Sequence, residues 1–430
     1  MSQTTKPAKR GRHTVARHGE LKSPHPLALV MKIVGVVVAV VLVSGFGVAA
    51  YAAIDITAAF TDDAVALEGQ DPVPPDIGAI EGGVNLFLAG TDACEPEYAG
   101  YFGERCTGPD SSQELNDVNM LVHISDAPRR VTVISFPRDL MIPIPSCTRE
   151  DGSQSTPISK QAINTAYTIG GLSCVVKAVS QLSTQNIPFA AKVTWGGVIE
   201  VTNAVGGVDV CLASGIKDPY TGINWPAGTR NIQGIEALQF LRTRHGVGDG
   251  SDLGRVSNQQ QYMSRLARKL MSEDVLSNPA MLYKLATTTV ENITPSESLT
   301  NPITLVQIAL AMKNVPFEDI VFVQYPVAED PYDPNKVVPD ATAAAALWDA
   351  LAANKPLKLT GEAGSNEGVV VVEPDPGATP TETPTQTPAA TPAPGETTPP
   401  ADEAIELPSS ITGSTAAQET CSNGNQRGRG

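Results

Sequence analysis

From Ile33 to Ile54 the chain reads IVGVVVAVVLVSGFGVAAYAAI, without one charged residue. A helix of that length crosses a bilayer core of about 30 Å. Seven Lys/Arg (Lys6, Lys9, Arg10, Arg12, Arg17, Lys22 and Lys32) precede the run against a single acid, Glu20, and Asp55, Asp62, Asp63 and Glu68 follow it. The positive-inside rule therefore places residues 1–32 in the cytoplasm as a disordered basic arm and everything after Ile54 outside. A cleaved signal peptide is the alternative, since AYA at 50–52 has the pattern of a cleavage site. The run exceeds the usual apolar region of about 7–15 residues, which favours a retained anchor. The expected localisation is a cell membrane crossed once.

This topology decides how charge is read. A basic arm beside a membrane span serves orientation and anionic lipid. With formal net charge -16 and the folded part outside, no nucleic-acid partner is expected. Residues 55–80 form a linker ending in DPVPPD. From about Thr360 to residue 430 the chain reads as a Pro/Thr-rich disordered tail, typified by PDPGATPTETPTQTPAATPAPGETTPP, a composition that builds no core. Residues 81–359 are left for the folded domain.

Within that domain VNLFLAG (84–90), VNMLVHIS (118–125) and RVTVISF (130–136) are short β-branched runs bounded by turn residues, and predict strands. AINTAYTIGGLSCVVKAVSQL (162–182), NIQGIEALQFL (231–241) and RVSNQQQYMSRLARKLM (255–271) carry apolar residues at helical spacing. KVTWGGVIEVTNAVGGVDVCL predicts strand, short helix, strand. Residues 302–313 and 342–352 predict helices around the strand DIVFVQYPV (319–327). Strands alternating with helices imply an α/β fold, an α-β-α layered extracytoplasmic domain with a central mixed sheet, on a single N-terminal transmembrane helix.

All six cysteines follow the span, where they can oxidise. None forms a CxxC pair or has metal-ligand spacing to a His, which argues against zinc. Cys94 and Cys106 flank the polar loop ACEPEYAGYFGERC and are expected to pair. Cys147, Cys174 and Cys211 leave one pair undetermined, and Cys421, in the tail, is expected to stay unpaired.

Only His123 and His245 lie outside the membrane, and His123 sits in an apolar strand as a core residue. With no GxSxG elbow, a Ser-His-Asp hydrolase has no support. No Walker A motif occurs and no GxGxxG opens a helix. Aspartate and arginine carry the remaining chemistry. In SFPRDL (135–140), Pro137 ends a strand and exposes Arg138 and Asp139 at the carboxyl end, where open α/β sheets bind ligands. Asp92 lies at the corresponding end of the first strand, and Asp117 precedes the second.

The stretch LRTRHGVGDGSDLGR (241–255) places arginines around a glycine-rich loop in an acidic chain. Arg242 and Arg244 point about 200° apart on a continued helix, so they converge only if the helix frays near Arg242. The glycines at 246, 248 and 250 permit that. Ser251 or Asp252 then caps the next helix, on which Arg255 and Gln259 share a face. Arginine forks match phosphate bidentately. Carboxylates beside a phosphate site are what Mg²⁺ uses, with Asp92 and Asp117 as the candidate ligands. The combination points to metal-assisted phosphoryl or pyrophosphate chemistry.

The succession NLFLAGTD, NDVNMLVHIS, VTVISFPRD and GIEALQFLRTRHGVGDGSDLGRVSNQQ resembles the LytR–CpsA–Psr family over about residues 84–271, extending to about 358. The resemblance implies a glycopolymer–peptidoglycan phosphotransferase. Its donor would be a polyprenyl-pyrophosphate-linked glycan such as teichoic acid, capsule or arabinogalactan, and its acceptor a hydroxyl of peptidoglycan. A phosphodiester forms and polyprenyl phosphate leaves. By motif, Arg138, Arg242, Arg244 and Arg255 would clamp the pyrophosphate with Gln259. Asp92 and Asp117 would hold Mg²⁺ (or Mn²⁺), and Asp139 and Asp252 would support them. Arg138, Asp117 and Asp92 would form the catalytic set. The helix 162–182 and the sheet would line an apolar groove for the prenyl chain. Where the family often has an arginine soon after the first aspartate this chain has Ala93 and Cys94, and where arginines are common it has Asn116 and Asn258. A polyprenyl-pyrophosphate pyrophosphatase and a non-catalytic lipid-glycan-binding envelope regulator are the alternative readings.

Overall fold

Alternation of side chains along the strands decides the layering. Strands β1 (Val84–Thr91), β2 (Asn116–Ile124) and β3 (Val131–Phe136) pair antiparallel in register, so Phe87, Leu121 and Ile134 form a row on one face, and Leu86, Val122 and Val133 a row on the other. The computed structural model describes residues 61, 64–74, 83–109, 111–372 and 404–425. The basic arm 1–32, the membrane run 33–54, most of the linker 55–80 and the Pro/Thr run 374–400 lie outside the described residues. Among the described residues no helix is long and apolar enough to cross a membrane.

Beyond β3 the main-chain elements are β4 (Phe189–Val193), β5 (Val208–Leu212), β6 (Ile216–Asp218), β7 (Ile223–Trp225), β8 (Gly228–Ile232), β9 (Ile293–Pro295), β10 (Ile320–Gln324), β11 (Val369–Val371), β12 (Gly413–Thr415) and β13 (Thr420–Ser422). The helices are α1 (Ala166–Ser183), α2 (Trp195–Ala204), α3 (Ile235–Arg242), α4 (Asp252–Leu270), α5 (Pro279–Asn292), α6 (Pro302–Met312) and α7 (Ala341–Ala352). A seven-stranded sheet runs in the order β9-β4-β1-β2-β3-β10-β12. It is mixed, because β4 and β10 join β1 and β3 in parallel while the other pairs are antiparallel. The row of Phe87 packs with Val175 and Val179 of α1 and Leu347 of α7. The row of Val122 packs with Ile308 of α6 and Met263 of α4. Helices thus cover both faces, the arrangement the alternating pattern implies.

Three expectations change. The helix over 162–182 begins only at Ala166 and is broken at Gly170 and Gly171, where Gly171 has φ 61°. A Cβ on Gly170 would stand 2.8 Å from the Thr148 carbonyl and 3.0 Å from the Cβ atoms of Cys147 and Cys174. The disulfide between those two cysteines brings that strand-side loop onto the helix. Second, Cys421 is paired, with Cys211, and Cys94 pairs with Cys106; no cysteine is free.

Third, the tail from Thr360 is not disordered throughout. Residues 404–425 return to the domain, with Leu407, Ile411 and Cys421 buried. They add β12 to the main sheet and β13 to a second sheet ordered β8-β5-β13-β11. Helix α4 explains why. It buries Asn258, Gln259, Gln260 and Gln261, and buried amides require hydrogen-bond partners. The returning chain supplies two of these, at Thr420 and Ser422. Gln261 Nε2 donates to the carbonyls of Cys211 (2.7 Å) and Thr420 (3.1 Å), Ser422 Oγ donates to Asn258 Oδ1, and Arg268 donates to the Gln418 carbonyl at 2.8 Å. Hydrophobic periodicity does not register a segment recruited by backbone carbonyls.

His123 occupies the polar row Asn85–His123–Thr132, with Nδ1 2.9 Å from Asn85 Oδ1. Burial pushes its pKa down to about 4 from 6.5, against a small opposing pull from Asp126. The unfolded chain therefore binds a proton that the folded one refuses between these values. Stability from this residue is complete above pH 6.5 and is lost as pH falls toward 4. At pH 5 the loss is about 2 kcal/mol. Denaturant midpoints at pH 7 and pH 5 should show it in wild type and show a smaller loss in His123→Gln; equal losses would remove His123 as the cause.

Candidate functional site

Strand β3 ends at Phe136, and Pro137 turns the chain so that Arg138 follows directly. Its NH1 donates to Asp117 Oδ1 at 2.8 Å. Its Nε lies 3.5 Å from Asp252 Oδ1 and 3.6 Å from Asp139 Oδ2. Asp117 is the second residue of β2 and not a residue preceding it, opposite the end of β1. Asp139 is also paired with Lys336. Helix α4 starts at Asp252 with Ser251 Oγ accepting from the Gly254 N–H at 3.3 Å, which settles the cap on serine. Arg255, 5 % exposed, pairs with Asp252 one turn earlier and reaches the Asp117 carbonyl at 3.4 Å.

Arg242 is the last residue of α3, so the helix ends where the glycine-rich loop makes ending inexpensive. Its guanidinium lies 4.2 Å from the Trp195 ring and 5.1 Å from that of Phe102, rings themselves 4.0 Å apart. Aromatic faces attract a cation without neutralising it. Arg242 has no carboxylate within ion-pair distance among the described residues. Burial lowers its pKa, Asp117 opposes this, and Arg255 adds to it. For Asp117, burial works upward, but Arg255, Arg138 and Arg242 together outweigh it and hold the carboxyl below its ordinary value of 3.8. Burial works against the Arg138 charge, and Asp117 and Asp252 reverse that and raise its pKa. The Nε–H groups of Arg138 and Arg255 are buried without a hydrogen-bond acceptor among the described residues. Buried donors without acceptors cost free energy, and clustered perturbed groups of this kind mark functional sites.

Three residues of this cluster, Asp117, Arg242 and Arg255, line a cavity of about 190 Å³. Asp117, Arg242, Arg255 and Gln259 are among its polar lining, and Leu88, Met120, Val198, Leu238, Met263 and Leu266 are among its apolar walls. The walls come from β1, β2 and helices α2, α3 and α4. Helix α1, which the family pattern implied as a wall, packs on the opposite face of the sheet, because the residues of β1 that meet it are the alternate set. Gln259 is held by its Nε2, which donates to the Leu241 carbonyl at 3.0 Å.

Two predicted site residues stand differently. Arg244 points away from the cluster, its Nε donating to the Gly250 carbonyl at 3.2 Å. The tertiary structure thus brings together Arg138, Arg242 and Arg255 but no contact joins Arg244 to them among the described residues. Asp92, 6 % exposed, accepts Arg105 Nε at 2.9 Å and the Leu115 N–H at 2.7 Å. Arg105 comes from the loop closed by Cys94–Cys106, so an arginine meets Asp92 in space although none follows it in sequence.

Asp218 was not legible at all. Completely buried, it accepts Thr243 Oγ1 (2.8 Å) and the N–H groups of Arg244 (3.1 Å) and Gly246 (3.3 Å) on Oδ2, and the Tyr220 N–H (3.0 Å) on Oδ1. It positions the arginine loop from the β6–β7 hairpin. No motif or spacing around KDPYTG announces this. The aromatic pair Phe102 and Trp195 had one faint signal, aromatics next to the Cys94–Cys106 loop and the β4–α2 junction. Among the described residues no group of three or more His, Cys, Asp or Glu is arranged to hold a metal ion.

The profile of the LytR_cpsA_psr family matches residues 50–353, well over half the chain. The cell wall biosynthesis protein LcpA of Corynebacterium glutamicum is 26% identical over 309 residues, covering 67% of this chain and 58% of its own length. The polyisoprenyl-teichoic acid–peptidoglycan teichoic acid transferase TagV of Bacillus subtilis is 31% identical over 173 residues, 39% of this chain and 43% of its own. The chain thus spans less than two thirds of the length of these curated relatives. A solved LytR-Csp2A-Psr enzyme from Actinomyces oris is 21% identical with a TM-score of 0.49, covering 67% of this chain and 96% of that chain.

Proposed function

This chain belongs to the LytR–CpsA–Psr family, and on that premise we propose that it is a phosphotransferase that moves a glycopolymer from a polyprenyl pyrophosphate carrier to peptidoglycan. One observation carries the reading: an apolar cavity is lined at its charged end by Arg255, with a buried Nε–H that lacks an acceptor among the described residues, and by Arg242, held against two aromatic rings, while Arg138 joins them through Asp117. An apolar chain bearing a pyrophosphate has that shape and charge. The isoprene units next to the pyrophosphate would occupy the cavity, and Arg138, Arg242 and Arg255 would meet its oxygens. Relatives named as teichoic acid transferases favour a wall glycan as cargo and peptidoglycan as acceptor.

In the reaction an acceptor hydroxyl attacks the phosphorus bonded to the glycan. The new O–P bond makes a phosphodiester, the bridging P–O bond breaks, the hydroxyl proton passes to solvent or to the departing phosphate, and polyprenyl phosphate leaves with the charge the arginines stabilise. Arginines fixed before the reaction need no reorganisation as that charge develops. The low pKa of Asp117 suits it to orient a hydroxyl or a cation and not to retain a proton.

The donor chemistry also suits magnesium. Asp92 Oδ2 faces two nitrogens of Arg105, while Oδ1 accepts the Leu115 N–H and keeps a lone pair, and Mg²⁺ needs only one or two carboxylates when phosphate and water complete its shell. Asp92 and Asp117 would hold it. When bound it would offset phosphate charge. The uncharged run 33–54 would anchor the chain and keep the cavity close to the lipid carrier.

The deciding assay uses the full chain in detergent with Mg²⁺, a lipid-linked glycan and peptidoglycan. Polyprenyl phosphate should appear only when the acceptor is present. Release at the same rate without acceptor would make the protein a pyrophosphatase. Tight lipid binding with no release under any condition would leave a carrier or regulator.

A further inference from the structure

Helix α6 buries one side and leaves the other facing water. Thr304 and Ile308 are buried, and Ile308 packs in the cluster of Val122 and Phe322. On the outer side Ile303, Val306 and Leu310 are 65%, 57% and 61% exposed. Spacings of three and four put them on one stripe. From Ser298 to Met312 the chain carries no charge, and Lys313 follows as the C-terminal cap. A surface helix ordinarily turns charged and polar residues outward, so an aliphatic stripe left outside marks a contact.

The path of the chain says what makes that contact. Val65 donates its N–H to the Pro295 carbonyl at 2.9 Å and accepts the Glu297 N–H at 2.9 Å. It thereby sits beside β9, shortly before α6 starts at Pro302. Only residues 55–64 separate it from Ile54, the last residue of the uncharged run, a tether of at most about 40 Å. The apolar cavity leads the same way. Met263 and Ile293 line it and belong to the packed cluster that holds Ile308. Met263 stands about 12 Å along α4 beyond Arg255.

A stable protein interface takes about 20–30 residues a side, with aromatic or arginine anchors at its centre. Three aliphatic side chains supply neither. They suit a helix that sinks its apolar side about 5–10 Å into the headgroup–acyl boundary, with a flanking lysine reaching lipid phosphate.

We propose that the outer side of α6 is a lipid-docking surface, on which Ile303, Val306 and Leu310 enter the membrane boundary and set the apolar cavity against the bilayer. This rests on the reading of residues 33–54 as an anchor and does not depend on the reaction.

The test uses the full chain in phosphatidylcholine and phosphatidylglycerol vesicles, with a nitrobenzoxadiazole label on Val306→Cys. The control is a label on Tyr332→Cys. Tyr332 is 89% exposed, on a loop whose neighbours Val327 and Val337 pack on the α1 side of the sheet. Lipid carrying a nitroxide high on its acyl chain should quench the Val306→Cys label about threefold more than the control. Adding Ile303→Ser with Leu310→Ser should bring quenching down to the control level, whereas Ile303→Leu with Leu310→Ile should keep it. Both pairs change exposed side chains, which the fold tolerates. Equal quenching at the two labels, or no effect of the serine pair, would overturn the docking surface. Emission that shifts to the blue with protein density but ignores the nitroxide would assign the stripe to a second copy of the chain, and would overturn it too. Protein that fails to float with the vesicles would instead sink the anchor reading, and this inference with it.

Discussion

Arg138→Ala should lower acceptor-dependent release of polyprenyl phosphate by about a hundred- to a thousandfold, the cost of removing one preorganised donor from a developing charge. No other single change should cost the reaction as much, because Arg138 joins three of the site's acids. Its NH1 fixes Asp117, and its Nε faces Asp252 and Asp139. The fold should tolerate the change, since the side chain is a quarter exposed and Arg255 still holds Asp252. Arg138→Lys keeps the charge but loses the planar fork, and should recover little activity. Arg255 and Arg242 remain beside Asp117 in both variants and still favour its ionised form. Turnover of Arg138→Ala within about threefold of wild type would remove this residue from the reaction.

The second large effect falls on stability. The Cys211–Cys421 disulfide closes a separation of 210 residues, and the chain-entropy account assigns a loop of that size about 5 kcal/mol. Replacing both cysteines by alanine should lower the free energy of unfolding by up to that amount. The Cys94–Cys106 bridge spans only 12 residues and should contribute about 3 kcal/mol on the same account. Activity should fall with the long bridge as well, because the segment it ties down holds the arginine loop. Gly248 N–H donates to the Asn423 carbonyl at 2.9 Å, and Asn425 N–H donates to the Gly246 carbonyl at 2.8 Å. Asn366, from the stretch leading to β11, donates to Asp249 Oδ2 at 2.7 Å and Ser251 Oγ at 3.0 Å. A Cβ on Gly248 would stand 2.2 Å from the Asn366 carbonyl, so the stretch leading to β11 is seated directly on that glycine and, with the returning segment, forms a strap over the loop. Denaturation of the double variant at the wild-type urea midpoint would show that the bridge adds no stability. Full activity in a destabilised variant would separate the strap from the site.

Local chemistry reads well from sequence where it is carried by near neighbours. The alternation in VNLFLAG, VNMLVHIS and RVTVISF yields three adjacent strands because period-two patterning is a property of each strand alone. Arg138 and Asp117 are found because strand ends in an α/β sheet gather charged residues at one rim. The break after Arg242 follows from three glycines within five residues.

Other features depend on chain segments that are far apart. Asp218 organises the arginine loop through four acceptor contacts, but a single aspartate in a hairpin carries no sequence signal of its burial. The second residue in LRTR, Arg242, enters the site while Arg244 turns to its own loop, since the direction of a side chain past a helix end is set by what it packs against, here Trp195 and Phe102. Composition separates the Pro/Thr run from a core, yet misjudges residues 404–425, whose attachment runs through backbone carbonyls and one disulfide. By itself the sequence determined the α/β layering and the strand ends and glycine-rich loop at which arginine and aspartate gather, because each depends on composition or on spacing within one element. Only the tertiary structure decided which three arginines meet, which face of the sheet holds the cavity, and that the chain's last strands brace the site. Those outcomes arise from pairings between elements distant in the chain, where burial and hydrogen-bond satisfaction select the partner and local pattern does not.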